Sequence, residues 1–177
     1  MYYELTDHFE VAAGIDRCWR FFGSAENLPL ITPPWLSFRI AMQTPLPPIN
    51  QDAVLDYTIR WMGVPVTWRT KIIDWSPPRQ FIDLQIRGPY SLWHHQHRFE
   101  PIESASGGGG GGGAGGGVRC FDRVIYQLPV PLVRRVVHAA IVRKQLTEIF
   151  RYRRKIIGQH LGLLRAIQED VEIRPLR

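Results

Sequence analysis

The chain has 177 residues, is 45% apolar and carries a formal net charge of +6, enough to bury the core of one domain of ordinary size. No apolar run approaches the roughly 18–20 residues that cross a bilayer. The start, Met1 to Asp7, lacks the basic stretch and apolar block of a secretion signal, so a cytoplasmic protein is expected. Cys18 and Cys120 are the only cysteines; without a CxxC spacing they exclude a disulfide framework and a cysteine zinc site, and read as reduced, packed thiols.

Tyr2 to Val11 alternates as a first strand with Tyr3, Leu5, Phe9 and Val11 on one side. Asp16 precedes a short helix packed by Trp19 and Phe22, and Gly23-Ser24 ends it. Glu26 to Ile31 adds a second helical turn, stopped by Pro33-Pro34. Strands are then expected at Leu36 to Met42, Asp52 to Met62 and Val64 to Trp75, the last two forming a hairpin about Gly63 packed by Trp61, Val66, Trp68 and Ile72. Phe81 to Arg87 follows the Pro77-Pro78 turn.

The next stretch, Gly88 to Pro101, reads GPYSLWHHQHRFEP. As a strand it places Trp93, His95, His97 and Phe99 on one face and His94, Gln96, Arg98 and Glu100 on the other. The first face is aromatic with two imidazoles set into it, which suits a cavity wall; the second is expected in water. Residues 107–117 are glycine except Ala114, a flexible loop by composition. They run into Val118-Arg119-Cys120 with no Lys-Ser or Lys-Thr, so the tract is not a phosphate loop. Arg119 to Leu128 resumes as a strand with Asp122, Val124 and Tyr126 on one face.

The longest helical pattern runs from Leu132 to Ile167, about 50 Å at 1.5 Å per residue. At 100° per residue Val142, Leu146, Ile149, Phe150, Ile156, Ile157, Leu164 and Ile167 form one apolar stripe. Arg143, Lys144, Arg151, Arg154 and Lys155 fall beside it and are expected in water, while Arg153 and His160 interrupt the stripe itself. Residues 131–177 hold 11 of the 22 Lys and Arg but 4 of the 16 Asp and Glu, a net +7 against −1 for the rest. Such a basic helix is most simply a solvated face; a weak contact with an anionic membrane is the partner it would otherwise fit, and nucleic acid is not expected.

The order of elements is that of a helix-grip fold, and particular residues carry a closer likeness: Glu26-Asn27-Leu28 with Thr32-Pro33-Pro34-Trp35, Trp68 to Pro78 (WRTKIIDWSPP), Phe81 to Gln85 (FIDLQ), Gly88 to Phe99, Asp122 to Pro129 (DRVIYQLP) and Phe150 to Arg154 (FRYRR). Through them the chain resembles the START-like SRPBCC superfamily, in particular its polyketide cyclase/dehydrase-like members, over nearly its whole length except the glycine tract and the last ten residues. The resemblance implies an α+β fold of one domain, residues 1–177, in which a curved antiparallel sheet wraps a long C-terminal helix, with two short helices after the first strand and a tail at 168–177. It also implies an internal cavity for a hydrophobic small molecule such as a lipid, quinone or polyketide, without a cofactor; a homodimer is left open.

With the sheet closed over the helix, the cavity wall takes Asp83, Gln85, Trp93, His95, His97, Asp122 and Tyr126, with Arg153 reaching in from the helix. A slip of one residue would exchange His95 and His97 for His94 and Gln96. Arg153 reads either as a structural arginine or as a clamp for an anion or carbonyl, with Asp83 or Asp122 as its resting partner. His95 and His97 read as ligand-orienting imidazoles, as acid/base groups, or, least of all, as metal ligands joined by Asp122. Ser37 and Ser91 lack a Gly-x-Ser-x-Gly frame and Cys18 sits among packing aromatics, so nucleophilic catalysis is not expected. Three functions stay open: a carrier or sensor, a cyclase- or dehydratase-type enzyme using His95 or His97, and an interaction module on the basic helix.

Overall fold

A computed structural model describes residues 1–41, 46, 48–61, 63–103, 116–129, 141–166 and 170–176. The elements are β1 (Tyr2–Val11), α1 (Ile15–Phe22), single 3₁₀ turns at Ala25–Asn27 and Pro34–Leu36, β2 (Arg39–Ile40), β3 (Val54–Trp61), β4 (Val64–Ser76), β5 (Gln80–Arg87), β6 (Leu92–Pro101), β7 (Val118–Gln127), α2 (Arg143–Leu161), β8 (Leu163–Ala166) and β9 (Glu172–Leu176). Neighbouring strands run antiparallel in the order β2-β3-β4-β5-β6-β7-β1-β8, and β9 also pairs with β1. The curved sheet wraps α2 as the helix-grip order predicts. The turn from β3 to β4 passes through Gly63 at φ 80°, a left-handed conformation that glycine adopts without a Cβ clash.

The period of two holds where the sheet meets the helix. Leu5, Asp7, Phe9 and Val11 of β1, Trp93, His95, His97 and Phe99 of β6, and Cys120, Asp122, Val124 and Tyr126 of β7 are all buried. From α2 come Leu146, Phe150, Arg154, Ile157 and Leu161.

The structure corrects several expectations. The strand expected over Leu36 to Met42 shortens to Arg39–Ile40, because Pro34–Leu36 forms a turn first. The long helix ends at Leu161, since Gly162 at φ 77° turns the chain into β8. Leu164 therefore leaves the helical stripe and is exposed, as is His160 at the helix end. Arg154 is buried instead of solvated, and pairs with Asp7. Ile167, the helical residues expected before Ile141, and most of the glycine tract lie outside the described residues.

The last strand replaces the expected tail. β8 and β9 lie along one edge of β1, whose other edge pairs with β7, so β1 becomes an inner strand paired on both sides over residues 3–6 and 9–11. Buried Glu4 on its outer side receives Arg123 from β7 and Arg174 from β9, and Glu10 receives Arg119 from β7 and Arg165 from β8. Part of the C-terminal positive charge is thus held in ion pairs within the chain, including Arg151 with Asp170. Ile173 is 7% exposed. Ile173→Val is therefore expected to cost about 1 kcal/mol in urea unfolding, where a solvated tail would give no change.

Candidate functional site

Beneath the sheet is a cavity of about 160 Å³. Its walls come from the inner faces of β3 to β6, the helix residues Leu146, Ile149, Phe150 and Arg153, and the chain between β1 and β3, which supplies Phe22, Leu28, Ile31, Leu36, Phe38 and Ile49. Most of the lining is apolar. Polar side chains gather where Asp83, His95, His97 and Arg153 meet, with Tyr57 and Thr70 nearby.

Strand register builds this polar end. Asp83 lies directly opposite His95 across β5 and β6, and His97 directly opposite Asp122 across β6 and β7. Side chains opposite or diagonal on one sheet face come within reach of one another, so the two pairs close into a quartet. His95 Nε2 lies 3.0 Å from Asp122 Oδ1 in hydrogen-bond geometry. His97 Nδ1 is 2.6 Å from the same oxygen, a close charge contact out of line for a hydrogen bond. The other ring nitrogens face Asp83 Oδ2, His97 Nε2 at 3.3 Å and His95 Nδ1 at 3.5 Å. The hydroxyl of Thr70 donates toward Asp83 Oδ1 at 3.3 Å and the Leu84 carbonyl at 3.1 Å, fixing that carboxylate from β4.

The rings are held as firmly as the carboxylates. The two imidazole centroids are 3.8 Å apart, Phe81 stacks on His97 at 4.3 Å, and Phe150 meets His95 edge-on at 5.6 Å. Arg153 approaches from α2, its Nη2 4.0 Å from Asp122 Oδ2 and its guanidinium carbon 5.6 Å above the Phe150 ring.

Burial and neighbouring charge set the proton affinities. Burial opposes the charge on Asp122, but His97, Arg153 and His95 outweigh it and hold its pKa well below the ordinary value. Asp83 is lowered too, burial being outweighed by His95, His97 and Arg153. Burial, then the neighbouring His97, pushes His95 down; for His97 the attraction of Asp122 overcomes burial and pushes it up.

The polar row continues past the cavity. Asp7 of β1 stands opposite Asp122 in register, with Arg154 Nη1 3.1 Å from its Oδ1. Neither Asp7 oxygen has a hydrogen-bond partner among the described residues. A polar band therefore crosses β5, β6, β7 and β1 under two consecutive arginines of α2. On one side lies an apolar cluster with Phe9, Phe81, Phe99, Cys120 and Ile157; on the other, one with Leu5, Trp93, Val124, Tyr126 and Phe150.

Of the residues singled out from the sequence, Asp83, Trp93, His95, His97 and Arg153 line the cavity. Asp122 lies behind the imidazoles, outside the lining. Gln85 is also outside it: its amide donates to the Tyr90 carbonyl at 2.6 Å and secures the β5–β6 turn. Tyr126 is stacked on Tyr3 at 5.6 Å beneath Trp93 and does not reach the cavity. Sequence reasoning missed Thr70, Asp7 and the inward course of Arg154. The alternation in β4 and β1 marks the first two, since Thr70 shares its face with Trp68 and Ile72, and Asp7 with Leu5 and Phe9.

No protein-family model matches the chain, and no curated protein matches its sequence. Solved structures do match. A protein of Thermus thermophilus superposes with a TM-score of 0.64 at 15% identity, covering 89% of this chain and 96% of the other. A START superfamily protein of Mycobacterium smegmatis gives 0.58 at 15% identity, covering 90% and 97%. The Zhui aromatase/cyclase of a Streptomyces species gives 0.60 at 12% identity, covering 92% and 98%. The chain shares with these structures, one of them a START superfamily protein, an α+β helix-grip fold. At such identities the likeness is one of fold, and the chemistry has to be read from the side chains of this chain.

Proposed function

We propose that the protein binds a hydrophobic small molecule in this cavity, as a carrier or sensor, with the polar end of the ligand turned toward Asp83, His95, His97 and Arg153. The observation that carries the reading is an apolar chamber with polar groups concentrated at one end, the usual form of a small-molecule site. A cavity of about 150 Å³ is known to hold benzene, so the 160 Å³ here suits a ligand that buries one ring. Two buried donors, Trp68 Nε1 and Arg153 Nε, have no hydrogen-bond partner among the described residues, which favours a ligand bearing a carbonyl or other acceptor.

Trp68 and Trp93 line the cavity and provide a fluorescence signal. Titration with one- and two-ring compounds, each with and without a carbonyl group, is expected to quench that emission saturably and to favour the carbonyl forms. Ile59 is a buried lining residue, and Ile59→Trp is expected to weaken binding at least about ten-fold by occupying the chamber. Absence of saturable binding, or equal binding by a folded Ile59→Trp variant, would sink the reading. A second reading, an enzyme of cyclase or dehydratase type, is favoured by the placement of two imidazoles and a guanidinium at one end of the chamber, where an enolisable substrate would meet both a proton carrier and a countercharge. It predicts turnover that the double variant His95→Ala/His97→Ala lacks.

A further inference from the structure

We infer that Asp83, His95 and His97 form a binding site for a divalent transition-metal ion, zinc(II) in the first instance, with its open side toward the cavity. The three side chains each offer a ligand atom, and these atoms all lie within 4.8 Å of one another. Both histidines are buried and Asp83 is half-buried.

Donor geometry carries the inference. His95 directs Nε2 to Asp122 Oδ1 at 3.0 Å, and His97 holds Nδ1 2.6 Å from the same oxygen. With the ring protons on that side, His95 Nδ1 and His97 Nε2 turn lone pairs toward Asp83 Oδ2, at 3.5 and 3.3 Å. In that tautomer three electron-rich atoms face one point, and a cation there takes the place of the proton that an imidazole otherwise holds against Asp83 Oδ2. Ligand atoms about 2.0–2.1 Å from a tetrahedral zinc stand about 3.3–3.4 Å apart; Asp83 Oδ2 stands 3.3 and 3.5 Å from the two imidazole nitrogens, and the three donors, within 4.8 Å of one another, draw closer on binding.

The supporting groups are also present. A metal-bound histidine characteristically gives its other nitrogen to a carboxylate; Asp122 serves His95 in that way and stands 2.6 Å from His97 Nδ1, out of line for a hydrogen bond. Thr70 occupies Asp83 Oδ1, leaving Oδ2 for the ion. With neutral imidazoles, Asp83 and Asp122 against the single guanidinium of Arg153 leave one negative charge for the ion to meet. Two histidines and a carboxylate leave the fourth position of a tetrahedral ion vacant, and here that position borders an apolar chamber, where water or a ligand oxygen would complete it.

The test contains no organic ligand, so its outcome is independent of the binding reading above. Tag-free full-length protein, stripped with a chelator, is titrated with zinc(II) by calorimetry and with cobalt(II) by visible absorption. One ion per chain and the d–d bands of four-coordinate cobalt are expected. Asp83→Asn and His97→Gln should each weaken zinc binding at least about 100-fold, Asp122→Asn should weaken it about 10- to 100-fold, and His94→Gln, on the opposite strand face, should leave it unchanged. Circular dichroism identifies the folded variants, and Asp83→Asn carries the test if a histidine variant does not fold. No saturable binding at micromolar zinc, or undiminished binding by folded Asp83→Asn protein, would overturn the assignment.

Discussion

As pH rises from 3.8 to about 7, the wild-type protein is expected to lose stability that an Asp7→Asn variant retains, a difference of up to about 4 kcal/mol. Asp7 is 1% exposed, and burial raises its pKa from 3.8 to about 7, since the attraction of Arg154 only partly offsets the lost hydration and Asp122 adds repulsion. Below 3.8 the carboxyl is protonated in the folded and unfolded states alike. Between the two values the folded state keeps the proton that the unfolded state has released, so each step upward in pH favours unfolding. Above about 7 both states have released it and the loss is complete. Urea unfolding of the two proteins across this range gives the difference directly; parallel profiles would mean that Asp7 stays ionised in the fold throughout.

Phe150→Ala is expected to destabilise the protein by about 3–5 kcal/mol. The ring is 2% exposed, it meets His95 edge-on, and it lies beneath the guanidinium of Arg153. Its removal leaves a void next to the existing cavity, and it withdraws the π-face that helps hold Arg153 over Asp122. The same variant should accept ligands one ring larger than the wild type does, because the chamber grows on the helix side. Denaturant unfolding with competitive fluorescence titration checks both outcomes. A loss below about 1 kcal/mol would mean that α2 closes over the gap.

The inward face of β6 was legible because strict alternation over ten residues leaves two choices, and the aromatic residues Trp93 and Phe99 select one. Alternation on β7 likewise grouped Asp122 with Val124 and Tyr126, whereas on β5 it left two choices, Asp83 with Phe81 and Gln85 or the set Ile82, Leu84 and Ile86, and the structure turns Asp83 to the cavity. The union of Asp83 and Asp122 with the imidazoles into one quartet was not legible. It depends on register, Asp83 against His95 and His97 against Asp122, and a single strand carries no record of where its neighbour starts. Gln85 and Tyr126 have the right parity and stand opposite the lining residues Thr70 and Trp93, yet the Gln85 amide is taken by the Tyr90 carbonyl and Tyr126 lies on β7, whose residues do not line the chamber. Arg153 and Arg154 are consecutive, 100° apart on the helix, and a count of faces sent one inward and the other to water. Both turn inward because each has a carboxylate on the sheet below, Asp122 for one and Asp7 for the other. The strand β9 was hidden for a different reason: five residues with a proline among them show little strand character, and their place depends on Glu4 and the open edge of β1.

The polar band across the middle of the sheet bears on how the fold is stabilised. Buried ionic groups can often be exchanged for well-packed apolar side chains with no loss, or with a gain of about 1–4 kcal/mol. Joining the apolar clusters on either side, through apolar residues at positions 7, 83, 95, 97, 122, 153 and 154, would therefore give a chain with one continuous core and less conflict between local burial and local polarity. The natural sequence keeps that conflict in a strip one or two residues deep across four strands. Departures from consistent folding rules gather where a native state serves a purpose beyond its own stability, and here the strip ends at the wall of the cavity.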